Sequence, residues 1–100
     1  LDDFIKATGY WRDKNTKSGK ADAEAPPTAY GDTNASEDLS ESVMFYFVDE
    51  QRLLDGDGSA AAGAPGNPCP KRWQAIHELV TKWAPQIGDF PLPQGNTAIA

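Results

Sequence analysis

The stretch that decides the fold is Asn34-Ala35-Ser36-Glu37-Asp38-Leu39-Ser40-Glu41-Ser42-Val43-Met44-Phe45-Tyr46-Phe47-Val48. Asn34 or Ser36 can accept hydrogen bonds from the first free backbone N–H groups of a helix, and Asn34 with Glu37 has capping-box spacing. The pattern predicts a helix over 34–54. Its body, Val43 to Val48 (VMFYFV), is a run of consecutive apolar residues. One stripe cannot contain such a run, so the helix is expected to be buried on most sides. A run this short also suits a central strand, but the length of the segment and its capped acidic start favour a helix.

On the N-terminal side, Leu1, Phe4 and Ile5 recur at helical spacing and Gly9 offers a stop, which predicts the end of a helix over 1–8. Residues 9–33 follow as a loop, with no hydrophobic period from Arg12 to Pro27 and charges of both signs. A loop this long is expected to be functional or mobile. On the C-terminal side, residues 55–69 (DGDGSAAAGAPGNPC) form a Gly/Ala/Pro-rich connector that should be flexible. Pro70 then stands at a plausible first helical position. Trp73, Ile76, His77, Val80 and Trp83 fall on one face of an amphipathic helix over 70–84. The remainder, 85–100, reads as an extended tail. The fold class expected is therefore mainly α, about three helices joined by long loops in a single partial domain.

Composition narrows the function. The chain has 100 residues and no apolar run near the roughly 20 residues of a membrane span. Its net charge is -6, which argues against a nucleic-acid binder, since phosphate neutralisation needs a clustered Lys/Arg surface. Only seventeen residues are Leu, Ile, Val or Phe, a thin core for the length. With no initiator Met and no secretory signal at Leu1, the sequence is expected to be a piece of something longer. Cys69 is the only cysteine, which excludes an internal disulfide and a zinc site built from cysteines. An inert buried thiol is the plain expectation, with pairing to another segment or reactivity as alternatives.

Glu37 and Glu41 share a helix face, where like charges repel by a few tenths of a kcal/mol. A solvated acidic face at a helix N-terminus is the simple explanation. A carboxylate pair leading into an apolar helix body, however, calls for a cation, a histidine or a hydrogen-bonding network. The stretch Tyr30-Gly31-Asp32-Thr33-Asn34-Ala35-Ser36-Glu37-Asp38-Leu39-Ser40-Glu41 resembles the Y-x-x-T-N-x-x-E-[DF]-[FL]-[AS]-E segment of zinc metallopeptidases of the anthrax lethal factor type. That group carries HExxH as its first metal motif and a downstream Glu as third ligand. The resemblance covers about a dozen residues directly, and more loosely runs from Phe4 to Ile76.

The resemblance implies a zincin-like C-terminal part in which Glu37 is the third zinc ligand. It makes Glu41 the carboxylate that hydrogen-bonds a zinc-bound histidine. Tyr30 becomes the phenol that stabilises the developing oxyanion. Thr33 and Asn34 would then be structural, and Asp38 a first-turn or salt-bridge residue. The cofactor implied is one zinc ion, the substrate a peptide or protein, and the partner a segment or chain bearing HExxH. Many relatives of this type are secreted toxins or effectors, which makes export the better guess by analogy alone.

The departure from the pattern is equally plain. No HExxH is present, and His77, in His77-Glu78-Leu79-Val80-Thr81, is the only histidine and follows Glu37 instead of preceding it. The chain alone is therefore expected to be inactive as a peptidase. For His77 the plain expectation is a satisfied core histidine. The DGDGS opening at Asp55 resembles half a calcium loop, but its twelfth position is Gly66 where a bidentate Glu belongs. Asn34-Ala35-Ser36 is formally a glycosylation sequon, set at the proposed helix cap. A second reading is a non-catalytic helical protein–protein interaction module using an exposed Trp73/Trp83 stripe.

Overall fold

The computed structural model describes residues 1–21, 23–58 and 63–83. Among the described residues the protein is mainly helical, with four helices: α1 (Asp2–Thr8), α2 (Ala35–Val48), α3 (Glu50–Asp55) and α4 (Pro70–Trp83). A single 3-10 turn, Gly31–Thr33, precedes α2. No strand occurs among the described residues beyond one antiparallel bridge between Trp11 and Lys17. None of the described helices is long and apolar enough to cross a membrane. The tail expected over 85–100 lies outside the described residues.

The helix expected over 34–54 is two helices. Asn34 rather than Ser36 starts α2, its Oδ1 accepting from the backbone N–H of Glu37 at 2.9 Å. The break comes at Asp49, which leaves helical geometry at φ -154, ψ 72. Its carboxylate accepts from the N–H of Arg52 at 3.2 Å and so caps α3. An aspartate in that position offers the backbone an alternative to continuing the helix. α3 ends at Gly56, where φ is 77. A Cβ there would lie 2.5 Å from the carbonyl oxygen of Gly66, so only glycine admits the approach of the two chain segments.

The expectation that VMFYFV is buried on most sides is not met. The buried residues of α2 are Ala35, Asp38, Ser42 and Tyr46, whereas Met44, Phe47 and Val48 are exposed, Val48 at 76%. A polar ridge thus faces inward, for a reason that lies on α4. Arg72 is fully buried, and its guanidinium donates to both carboxylate oxygens of Asp38, from Nε at 2.8 Å and a terminal nitrogen at 2.7 Å. Trp11 Nε1 donates to the same carboxylate at 2.8 Å and Ser42 Oγ at 3.1 Å. Glu24 completes the network. It pairs with Arg72 at 2.9 Å and caps α4 by accepting from the backbone N–H groups of Lys71 and Arg72. A second contact joins the Arg72 guanidinium to the Glu24 carbonyl. Phe4 and Tyr10 each lie 5.7 Å from the guanidinium carbon, which brings α1 and the chain after it into the same centre.

The apolar core sits further along, where Tyr46, Leu53, Leu54, Cys69, Trp73 and Ile76 pack together with Val43, Phe45 and Val80. The connector expected to be flexible is tied down in its described part. Cys69 N–H donates to Leu53 O at 2.8 Å, Asp57 N–H to Gly66 O at 2.9 Å, and Gly66 N–H to Pro26 O at 3.1 Å. Loop 9–33 is likewise built rather than solvated throughout: Glu24 to Pro27 are buried, and Asn67 Nδ2 donates to Ala25 O at 3.2 Å.

Candidate functional site

Tyr30, at the start of the 3-10 turn, lies within electrostatic reach of Glu37 and Glu41 in the first turns of α2. The 3-10 turn sets Tyr30 there, and Gly31 allows it. A Cβ on Gly31 would stand 3.3 Å from Pro26 Cβ and Thr28 Oγ1 and 3.4 Å from Asp38 Cα, so the turn lies directly on the helix. Thr28 links the parts, accepting from Gly31 N–H at 2.9 Å and donating its hydroxyl to Glu41 Oε1 at 3.0 Å. On the far side of the turn, Tyr10 donates to Asp32 at 2.6 Å and Lys17 to its other oxygen at 2.9 Å.

Tyr30 is 60% exposed and its phenol faces Glu37. Interaction with that carboxylate, through hydrogen bonding first and then its charge, holds the phenol above its ordinary pKa of 10.0. Glu41 is held by Thr28, and Asn34 caps the helix by accepting from Glu37 N–H.

Within the described residues no group of three or more His, Cys, Asp or Glu is arranged to hold a metal. The donors at hand fit one carboxylate ligand with a phenol beside it. Carboxylate oxygen is an ordinary zinc ligand, but a catalytic site needs three protein ligands. His77 is not one of them here, since it belongs to α4 and the core: its Nδ1 lies 2.7 Å from the Tyr46 hydroxyl and its ring stacks on Trp73 at 4.5 Å.

The chain was compared with family models, curated proteins and solved structures. None of them matches it.

Asp38, expected as a first-turn or salt-bridge residue, is both, and its burial at the centre of the ion network goes beyond that expectation. Arg72 lies outside the expected apolar face of Trp73, Ile76, His77, Val80 and Trp83, yet with Trp73 and Ile76 it forms the buried side of α4. Glu24 lay in what read as solvated loop. The usable signal was the spacing of Asp38, Ser42 and Tyr46, a helical period written in polar residues. The Trp73/Trp83 stripe is also corrected: Trp73 is 9% exposed and bonded through Nε1 to Glu50 at 2.9 Å, while Trp83 is 48% exposed. The thiol of Cys69 is buried against the carbonyls of Ala25 and Asn67, and burial pushes it up to about 12.

Proposed function

We propose that this chain is the third-ligand part of a zinc-dependent metallopeptidase. The observation that supports this reading is that Glu37 on α2, with Glu41 one turn further along, holds the phenol of Tyr30 above its ordinary value. In this proposal Glu37 supplies one carboxylate oxygen to the metal, and HExxH on another segment supplies the two histidines. Zinc, when bound, polarises the scissile carbonyl and activates water. Glu41 orients a ligating histidine, a task suited to a carboxylate already fixed by Thr28. Tyr30 keeps its proton at neutral pH and donates it as a hydrogen bond where the oxyanion develops.

The experiment is zinc analysis and peptidase assay on the complete protein that contains this chain. Glu37→Ala should remove zinc and activity together. Tyr30→Phe should leave zinc in place and lower kcat by roughly 10²–10³, the range for loss of one oxyanion donor. Unchanged zinc content in Glu37→Ala, or a complete sequence without HExxH, would overturn the reading. The interaction-module alternative draws support from the exposure of Leu79 and Trp83 on α4. Under that reading Trp83→Ala weakens partner capture and Glu37→Ala does nothing.

A further inference from the structure

Charge is unevenly distributed along this acidic chain. Residues 6–20 contain five basic side chains (Lys6, Arg12, Lys14, Lys17 and Lys20) against one acid, Asp13; the remaining residues carry four basic against fourteen acidic. The fold gathers the basic set. Gly9 ends α1 with φ 69, and the chain turns back on itself through the Trp11–Lys17 bridge, with Ser18 donating to Gly9 O at 2.7 Å. Asp13 is turned onto its own turn, accepting from the backbone N–H groups of Asn15 and Thr16 at 2.8 and 2.9 Å. Lys17 is held by Asp32. Lys6, Lys14 and Lys20 are exposed, and their ammonium groups make no hydrogen bond or ion pair to a described residue. Between α1 and this turn runs an open groove whose lining includes Leu1, Ile5 and Trp11 together with Lys6, Arg12, Lys14 and Lys20, against two acids, Asp2 and Asp13.

We infer that this groove is a docking surface for an acidic peptide segment, one that alternates carboxylates for the basic side chains with an apolar side chain for Leu1, Ile5 and Trp11. The turn is anchored before any ligand arrives, since Lys14 O accepts from Ala35 N–H at 2.7 Å, and little ordering is lost on binding. Charge complementarity favours a short acidic segment over a long polyanion. Asp2 lines the groove at the start of α1, and fourteen acids in the rest of the chain repel an extended phosphate backbone. The surface needs neither zinc nor HExxH, so its success or failure is independent of the metallopeptidase reading.

The test uses the 100-residue chain and three fluorescein-labelled probes read by anisotropy: a short peptide of alternating Glu and Leu, its Lys-for-Glu counterpart, and an oligothymidylate of matching charge. The Glu peptide should bind saturably, more weakly at high salt, and the Lys peptide should not bind. Lys14→Glu combined with Lys20→Glu should lower affinity roughly tenfold or more. Lys71→Glu with Lys82→Glu, on α4, should leave it unchanged, and circular dichroism checks that both variants keep their helices. Equal binding by the Lys14/Lys20 variant, no saturation with the Glu peptide, or tighter binding of the oligothymidylate would each overturn the inference.

Discussion

Arg72 and Asp38 meet fork to fork in the protein interior, with Nε to Oδ1 at 2.8 Å and a terminal nitrogen to Oδ2 at 2.7 Å, and neither side chain is exposed. The pair ties the first turn of α2, where Asp38 follows Glu37, to the first turn of α4. Bidentate geometry fixes orientation as well as distance. Glu24, Trp11 and Ser42 add hydrogen bonds around the pair, and Glu24 also accepts from the first N–H groups of α4, so each buried charged side chain has polar partners.

Removing one partner should cost far more than removing both. Arg72→Met leaves Asp38 and Glu24 buried without their cation, and is expected to destabilise the fold by about 3–5 kcal/mol. Asp38→Leu added to Arg72→Met should recover part of that loss. Urea unfolding of the two variants and the wild type measures the difference. A single variant within error of the wild type would show that the network contributes little.

This network also explains which parts of the molecule were legible in sequence. The helical class, the Asn34 cap and the face shared by Glu37 and Glu41 follow from local rules, the spacing of i and i+4 and the chemistry of an Asn side chain at a helix start. The orientation of α2 does not, because it depends on a residue 34 positions away in sequence. Hydrophobic periodicity assigns the apolar residues of VMFYFV to the inside. The strength of a paired, hydrogen-bonded ion cluster turns Asp38 and Ser42 inward instead and leaves Val48 outside. Asp49 is a similar case, since its capping geometry decides between one helix and two. At the candidate site, Tyr30 was legible only through its register with Glu37. The contacts that hold it there, from Gly31 and Thr28, rest on close packing that no spacing rule reveals.

Gly31→Ala tests that packing. Gly31 has no positive φ, so the effect is steric: the new Cβ meets Pro26, Thr28 and the α2 backbone at 3.3–3.4 Å. The turn should lift from α2 at a cost of about 1 kcal/mol. Tyr30 should then lose its contact with Glu37, and its pKa should fall back toward 10.0. Ultraviolet phenolate titration, with Tyr30→Phe identifying the Tyr30 transition, reads this directly. An unmoved titration in Gly31→Ala would show that the turn does not need glycine to place the phenol.

Tyr46 is the buried aromatic of α2, and its hydroxyl has one partner among the described side chains, Nδ1 of His77. Tyr46→Phe removes that bond and should cost about 1 kcal/mol. His77→Phe leaves the Tyr46 hydroxyl without that partner and also changes the ring stacked on Trp73, so it should cost more. Thermal unfolding of the two single variants ranks them. Equal losses would mean that the hydrogen bond carries the whole effect and the stacking none.

Alkaline pH should unfold the protein through groups that keep their protons too well. Burial raises Cys69 from 9.0 to about 12, and burial followed by the charge of Glu50 raises Tyr46 from 10.0 to about 12. In both cases the unfolded chain releases the proton first. The stabilisation is complete below the unfolded pKa and is lost as pH rises toward 12, by at most about 1.4 kcal/mol per pH unit for each group. Stability measured by urea unfolding should accordingly be flat from neutral pH to about 9, by the same linkage, and fall above it. Cys69→Ala removes one of the two groups and should reduce the slope between pH 9 and 10, where Tyr46 has barely begun to contribute. A thiol reagent supplies the kinetic counterpart: at pH 9 Cys69 should react only as fast as the protein opens, and fast labelling in the native state would contradict its burial.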